Sequence, residues 1–477
     1  MREEELQRRL TRLAERTAPP PRGSLARTVV AQHRTRRRQV IGLTTVLAAV
    51  AALVVAMTTL VGPAERPVSA VGVASPAEAV DVFTGPTRGS LAGDAAFVEG
   101  VRQLPWTTGG SSGTGLPDAP LDTRRVVFAG DVAGGRWALV VGANTAQPEP
   151  PDDDPARQTD LGALSDVAIA WFTGPPGASP DQLALQSVPR GVDPSLPAAL
   201  HDPASGDLVV VTAPGDAVEL SLRPDIAADG RVSRAWQPVG SPDGLAVLAL
   251  PPLDGTYDTA LRYRVTRDGA ELTVTGPDGV PGSGPAEVSL TWLRPPPAPA
   301  AGDAVARSEI DAMLGRTGLT SAETTFTAVW AGDVPGPHDQ PARVILLAQT
   351  VPSGAVYLSG TYGWPVTDGG GTGGTGCGSQ VTAAGAPLDE RTFALRCDVV
   401  DGTAEAQPVS SLVVIAPPAA VSARALDAGG AVLAGFPLVD GVGVVPFPER
   451  TATIETRAAD GTVLQSTRPL TCADLGG

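Results

Sequence analysis

The chain has 477 residues and a net charge of −16, from 35 basic and 51 acidic residues, and every basic residue is Arg. At roughly 100–200 residues per domain, that length corresponds to two to four folded units. The lack of Lys excludes Schiff-base and Ser–Lys chemistry, and three Cys with three His leave little for a metal or nucleophile site.

Charge is distributed in three blocks. Residues 1–39 hold 11 Arg against four Glu, residues 40–62 hold no charge, and residues 63–477 hold 24 Arg against 47 acids. The first block is read as a cytoplasmic helical head. Leu6, Leu10 and Leu13 share one face of a helix over residues 2–16, and Pro19, Pro20 and Pro21 end it. Ser24 is placed to cap a second helix running through Arg38. The Leu face suits either a cytosolic partner or the inner leaflet, with its Arg among the headgroups.

Val40 to Gly62 is an uncharged run of 23 residues, about 35 Å as a helix at ~1.5 Å per residue. That length spans a ~30 Å hydrocarbon core. Arg34, Arg36, Arg37 and Arg38 flank it on the N-terminal side. The positive-inside rule puts the N-terminus in the cytoplasm and the rest outside, and the same arginines attract lipid headgroups. A cleavable signal ending at Val68-Ser69-Ala70 fits less well, because the apolar run is too long and the head runs to residue 39. A twin-arginine signal at Thr35-Arg36-Arg37 has Gln39 where an apolar residue is wanted.

This Arg-rich head, Pro break and Arg block before an Ala/Val/Leu helix resemble a loose group of actinobacterial single-pass membrane proteins, some of them similar to anti-sigma factors. The resemblance covers the first ~65 residues and is architectural. It implies a cytoplasmic segment that binds a regulator. The head departs from the zinc-type anti-sigma pattern, since it has no Cys and only His33.

After a linker over residues 63–86, the acidic body reads as two tandem copies, 87–294 and 301–477, joined by a Pro-rich hinge at 295–300. Four short matches recur in order. Ala92–Ala95 returns as Ala301–Ala304, and Ala129–Val132 as Ala331–Val334. Leu208–Pro214 returns as Leu412–Pro417, and Arg267–Gly269 as Ala459–Gly461. Each copy opens on a short helix, Gly93–Leu104 or Asp303–Leu314. Strands follow at Arg125–Ala129, Arg136–Val141 and Val167–Phe172, and at Phe326–Ala331, Arg343–Gln349 and Ala355–Ser359. Each copy then continues with strands at about ten-residue spacing. Asp-Gly pairs at Asp229, Asp243, Asp254, Asp268, Asp278, Asp440 and Asp460 mark tight turns between them. The expected fold is therefore mostly β (α+β): one transmembrane helix, then two copies of an α+β meander with an immunoglobulin-like sandwich. Phe128 and Trp330 are expected in equivalent cores, Gly130 and Gly332 in turns, and Asp131 and Asp333 on local backbone amides. Thr107–Gly115, Pro148–Pro155 and Thr367–Gly376 read as loops.

No residue is assigned a catalytic, cofactor-binding or metal-binding role. Gly109–Gly113 has G-x-S-x-G spacing and Gly369–Gly374 contains G-x-G-x-x-G, but neither lies between a strand and a helix. Asp152, Asp153 and Asp154 read as a solvated acidic loop, and His201 and His338 as surface turn residues. Cys377 and Cys397 are expected to form a disulfide from neighbouring strands, with Cys472 as the alternative partner of either. These features suggest a non-catalytic, membrane-anchored, extracytoplasmic binding or sensing protein without a cofactor. Its expected partners are the lipid bilayer and an envelope protein, and its acidic body argues against nucleic acid. A signalling regulator acting through the cytoplasmic helix and an envelope enzyme are the alternatives.

Overall fold

A computed structural model describes residues 80–106, 116–145, 165–253, 255, 258–280, 287–295, 299–337, 340–365, 372–400, 408–471, 473 and 475. The head, Val40–Gly62 and the loops expected at Thr107–Gly115 and Pro148–Pro155 lie outside these residues. Among the described residues no helix is long and apolar enough to cross a membrane. The protein is mostly β, with several sheets.

The first half begins with α1 (Ala95–Arg102), capped by the Asp94 carboxylate on the Phe97 amide. An outer sheet follows: β1 (Arg125–Val132), β2 (Gly135–Ala143), β3 (Val167–Gly174), β4 (Ala184–Leu185) and β5 (Arg190–Val192), in the order β1-β2-β3-β4 with β5 also on β3. Then come β6 (Ala198–Asp202), β7 (Asp207–Val211), β8 (Ala217–Ser221) and the hairpin β9 (Pro224–Ile226) and β10 (Val232–Arg234). The half continues with β11 (Gln237–Val239), β12 (Leu245–Ala249), β13 (Arg262–Arg267), β14 (Ala270–Thr275) and β15 (Asp278–Gly279). Strand β16 (Leu290–Trp292) pairs in parallel with the second half.

The second half has α2 (Pro299–Thr317), β17 (Thr325–Val334), β18 (Ala342–Thr350), β19 (Val356–Pro365) and β20 (Thr372–Thr382). It continues with β21 (Phe393–Val399), β22 (Val409–Ile415), β23 (Ser422–Leu426), β24 (Val432–Pro437), β25 (Val442–Pro446), β26 (Thr453–Arg457) and β27 (Val463–Thr467). Its outer sheet runs β16-β17-β18-β19-β20.

The inner sheets recur strand for strand. In the first half they are β12-β7-β6-β15 and β11-β8-β13-β14; in the second, β21-β22-β25 and β24-β23-β26-β27. Set aside the hairpin and β15, and number the seven remaining strands of each half in chain order. Strands 1, 2 and 5 then form one sheet, and strands 4, 3, 6 and 7 the other.

Each half stacks four layers: helix, outer sheet, middle sheet, far sheet. Phe97 and Val101 of α1 pack on Val126, Ala138 and Val140. The opposite face of that sheet, with Phe128, Leu139 and Trp171, packs on Leu200, Val209 and Val211. Leu208 and Val210, from alternate positions of β7, meet Val218, Leu220 and Tyr263 of the far sheet. A strand stretch buried on both faces has no polar side, so β7 carries the unbroken apolar run Leu208–Val211 and β22 the run Leu412–Ile415. In β22, Val413 and Ile415 face the outer sheet, and Leu412 and Val414 the far sheet.

Several details depart from the sequence reading. Gly130 and Gly332 lie inside β1 and β17, not in turns. A side chain there would strike the ring of Phe128 or Trp330, at 3.1 Å and 2.1 Å. Asp131 and Asp333 accept from the Arg opposite them in register, Arg136 and Arg343, each at 2.7 Å from Nε. The Ala-Pro pairs after β7 and β22 are one residue out of step. The amide that donates to the Asp-Gly turn carbonyl is that of Thr212 in one half and Ala416 in the other, to Gly244 O and Gly441 O. Asp278-Gly279 forms β15, parallel to β6, instead of a hairpin turn. Residues 372–376, expected in a loop, belong to β20. Helix α2 starts at Pro299, inside the expected hinge, because Pro is tolerated in a first helical turn.

The β9–β10 hairpin has no counterpart among the described residues of the second half and ties the halves together. Ile226 packs on Leu319, Val351 and Ala355. The Ala384 amide donates to Ala228 O at 2.8 Å, and Arg223 pairs with Glu323 at 2.9 Å.

Candidate functional site

Cys377 and Cys397 form a disulfide. They are not on neighbouring strands, however: Cys377 belongs to β20 of the outer sheet and Cys397 to β21 of the middle sheet, and the bond crosses the core between them. Cys472, His338, Asp152–Asp154, Gly109–Gly113 and the arginines expected to flank a membrane span, Arg34, Arg36, Arg37 and Arg38, lie outside the described residues. The described part of the Gly369–Gly374 run, residues 372–374, enters β20, so no helix follows it to cradle a phosphate. Among the described residues, no group of three His, Cys, Asp or Glu side chains is arranged to hold a metal.

His201 is not a surface residue. It lies in β6, 2% exposed, with Nδ1 3.5 Å from Asp258 Oδ2. Burial pushes the imidazole below its usual range despite the carboxylates of Asp258, Asp202 and Asp207, and pushes Asp258 up. Its Asp and Pro neighbours suggested a turn. The apolar Ala198–Leu200 just before it was the signal for a buried strand.

The second half holds a cleft of about 560 Å³ between α2 and the outer sheet. Ser308, Glu309, Ala312 and Arg316 line it from one face of α2, at helical spacing. Tyr357, Ser359 and Thr361 line the floor from alternate positions of β19. Gly376 lets the floor stay open: a side chain there would meet nothing closer than 3.8 Å.

Glu309 anchors the cleft. It is 7% exposed, and its Oε1 accepts from Ser359 Oγ at 2.7 Å and from Arg316 Nη1 at 2.8 Å. Arg316 Nη1 also reaches Tyr357 Oη at 3.3 Å. Burial opposes the guanidinium charge, but Glu309 and Tyr357 outweigh it and raise the Arg316 pKa. A buried carboxylate held at one oxygen by a hydroxyl and a guanidinium is fixed in place.

The equivalent space in the first half is filled. Helix α1 has eight residues against nineteen in α2, and Phe172, Ala178 and Leu183 pack beneath it. A second cleft, of about 640 Å³, lies elsewhere in that half beside Arg190, Asp193 and Tyr263. Arg190 there is held by both oxygens of Asp278, at 3.1 and 3.0 Å, and is itself half-exposed. The α2 cleft is the stronger site, because its charged group is buried and its polar groups converge.

Sequence reading missed this site. The helix expected over Asp303–Leu314 carried Glu309 but stopped two residues short of Arg316. The alternation of Tyr357, Ser359 and Thr361 was the available sign of a polar strand face. No protein-family model matches the chain, and no curated protein does.

Proposed function

We propose that the protein is a membrane-anchored, non-catalytic binding or sensing module. Its two halves are tandem copies of one domain built around an immunoglobulin-like sandwich, and the second copy carries the ligand site. The strand orders support the duplication, together with two features repeated at matching places. Val127 in β1 and Val329 in β17 each form a bulge in the outer-sheet strand that opens a hairpin. Arg88 and Arg294 each donate to carbonyls at the end of the middle sheet: Arg88 to Thr212 O and Gly244 O, Arg294 to Ala416 O and Asp440 O.

The observation that carries the binding reading is the α2 cleft, present in one copy and packed shut in the other. A duplicated scaffold with a single preformed, polar cleft fits recognition better than symmetric chemistry. The anchor reading rests on the uncharged run from Val40 to Gly62 and the arginines before it.

Two measurements test it. Protease added to spheroplasts is expected to digest the C-terminal part and spare the head; a mature chain starting near Val71 in the medium overturns the anchor. Thermal-shift measurements on the full-length chain, against a panel of small polar compounds, are expected to find a stabilising ligand whose effect Ala312→Phe removes. A stabilisation that survives Ala312→Phe moves the binding function away from the cleft.

A further inference from the structure

Charges in the α2 cleft cancel. Glu309 and Arg316 face each other at 2.8 Å, so neither leaves a net field for a charged ligand. An anion drawn to Arg316 would stand beside the Glu309 carboxylate, and a cation drawn to Glu309 would stand beside the guanidinium. A zwitterion would have to split the pair and leave buried charge uncompensated.

Hydrogen-bonding capacity remains. Glu309 Oε1 takes both internal bonds, and its second oxygen has no partner among the described residues. Ser359 Oγ spends its proton on Glu309 and keeps its lone pairs. Thr361 Oγ1 likewise donates to Thr375 O at 3.2 Å and can accept. Ser379 Oγ accepts from the Ala473 amide at 2.9 Å and keeps a proton to donate. Arg316 and the Tyr357 hydroxyl add further donors. The walls therefore offer donors and acceptors interleaved within a few ångströms.

We propose that the cleft binds a neutral, polyhydroxylated ligand, a sugar ring. This rests on the reading of the α2 cleft as the ligand site. A hydroxyl is both donor and acceptor, so a ring carrying several can bond the second Glu309 oxygen, Arg316 and the Ser and Thr hydroxyls without breaking the ion pair. The volume of about 560 Å³ lies inside the range of small-molecule pockets.

The test is ligand-observed NMR on the full-length chain in a sugar-free detergent. One panel holds glucose, galactose, mannose, N-acetylglucosamine and trehalose; the other holds alanine, glutamate, succinate and spermidine. At least one sugar is expected to bind and no charged compound to do so. Gly376→Val and Ala312→Phe, which fill the cleft from opposite walls, are each expected to abolish binding while the melting temperature stays close to wild type. Glu309→Gln keeps the side-chain shape but loses the charge, and is expected to weaken binding at least tenfold. Binding of a charged compound that both filling variants remove overturns the sugar assignment and leaves the cleft as the site. Sugar binding that survives both variants, or no binding from either panel, overturns the cleft as well.

Discussion

The two halves share a frame and differ in what covers it. Both have a middle sheet of strands 1, 2 and 5, a far sheet ordered 4-3-6-7, a bulged outer-sheet strand that opens a hairpin and an Arg crossing to the end of the middle sheet. The first half has a short helix packed flat, a buried His201 beside Asp258 and a buried pair between Arg267 and Asp216. The second has a long helix packed on its sheet through Val305, Ile310, Met313 and Leu314, a cross-sheet disulfide and a polar cleft beside that contact. A sheet buried on both faces leaves little freedom, since each side chain must fit between two layers. An outer helix has one packed face and can lengthen or shift. New chemistry accordingly sits under α2 and not in the middle sheet.

The largest expected difference between the halves comes from Asp216. Its carboxylate takes two bonds from Arg267, at 2.8 and 2.9 Å, and one from the Ala213 amide at 3.0 Å, and it also bonds the Thr212 hydroxyl. The matching turn of the second half has Ala420, whose amide likewise bonds three residues back. Asp216→Ala leaves Arg267 buried without its partner and is expected to cost about 3–5 kcal/mol. Burial alone would raise the Asp216 pKa, but the bonds from Arg267, Thr212 and Ala213 bring it below the ordinary value. A depressed folded-state pKa means the stabilisation is present above about pH 4 and is lost as pH falls through the folded value. Hydrogen exchange is therefore expected to show the first half opening before the second as pH falls, and Asp216→Ala to open the first half first at neutral pH as well, with that acid dependence gone.

Core truncation is the sharpest test of the shared frame. Leu208 and Leu412 occupy matching positions of strand 2 and both are fully buried. Leu208→Ala and Leu412→Ala are each expected to cost about 2–5 kcal/mol in urea unfolding. Similar costs support one frame used twice. A difference beyond about 1.5 kcal/mol would mean the two cores relax differently around the cavity.

Removing the disulfide affects the second half alone. Its two Cys are 20 residues apart in sequence, and Cys377→Ala with Cys397→Ala is expected to lower stability by about 2–4 kcal/mol. The loss should appear as faster hydrogen exchange in β20 and β21, with β1–β3 unchanged. Uniform loss across both halves would show that the β9–β10 hairpin couples their unfolding.

How much of this was legible depends on the kind of contact. Periodicity placed the outer strands, and the Asp-Gly pairs at Asp243, Asp268 and Asp440 marked turns in which those Asp adopt φ of 52°, 51° and 51°. The apolar run Leu208–Val211 was visible, though its burial on both faces was not. Contacts between layers were the blind spot. A spacing of 20 residues says that Cys377 and Cys397 can meet, and does not distinguish strands side by side from strands face to face. Glu309 and Ser359 are 50 residues apart and belong to a helix and a sheet whose packing no local pattern encodes. His201 was misread for the opposite reason, because its polar neighbours hid a buried strand.

The smallest effect separates the two halves at a pair they share. Asp131 and Asp333 are about half exposed, and their ion pairs with Arg136 and Arg343 are partly screened by solvent. Losing either carboxylate would by itself be worth at most about 1 kcal/mol. What each Arg keeps differs. Arg136 Nη1 still donates to Ala178 O at 2.7 Å, and its guanidinium lies 5.1 Å from the Phe97 ring centroid. Arg343 Nη1 is buried with no hydrogen-bond partner among the described residues, so Asp333 is the contact that offsets its burial. Asp131→Ala is therefore expected to be nearly neutral, and Asp333→Ala to cost toward 1 kcal/mol or slightly more, because an under-satisfied buried donor loses its compensating charge. Urea unfolding of the two single variants in low salt measures the order. Equal costs, or a larger one for Asp131→Ala, would show that the guanidinium surroundings do not set the strength of this shared pair.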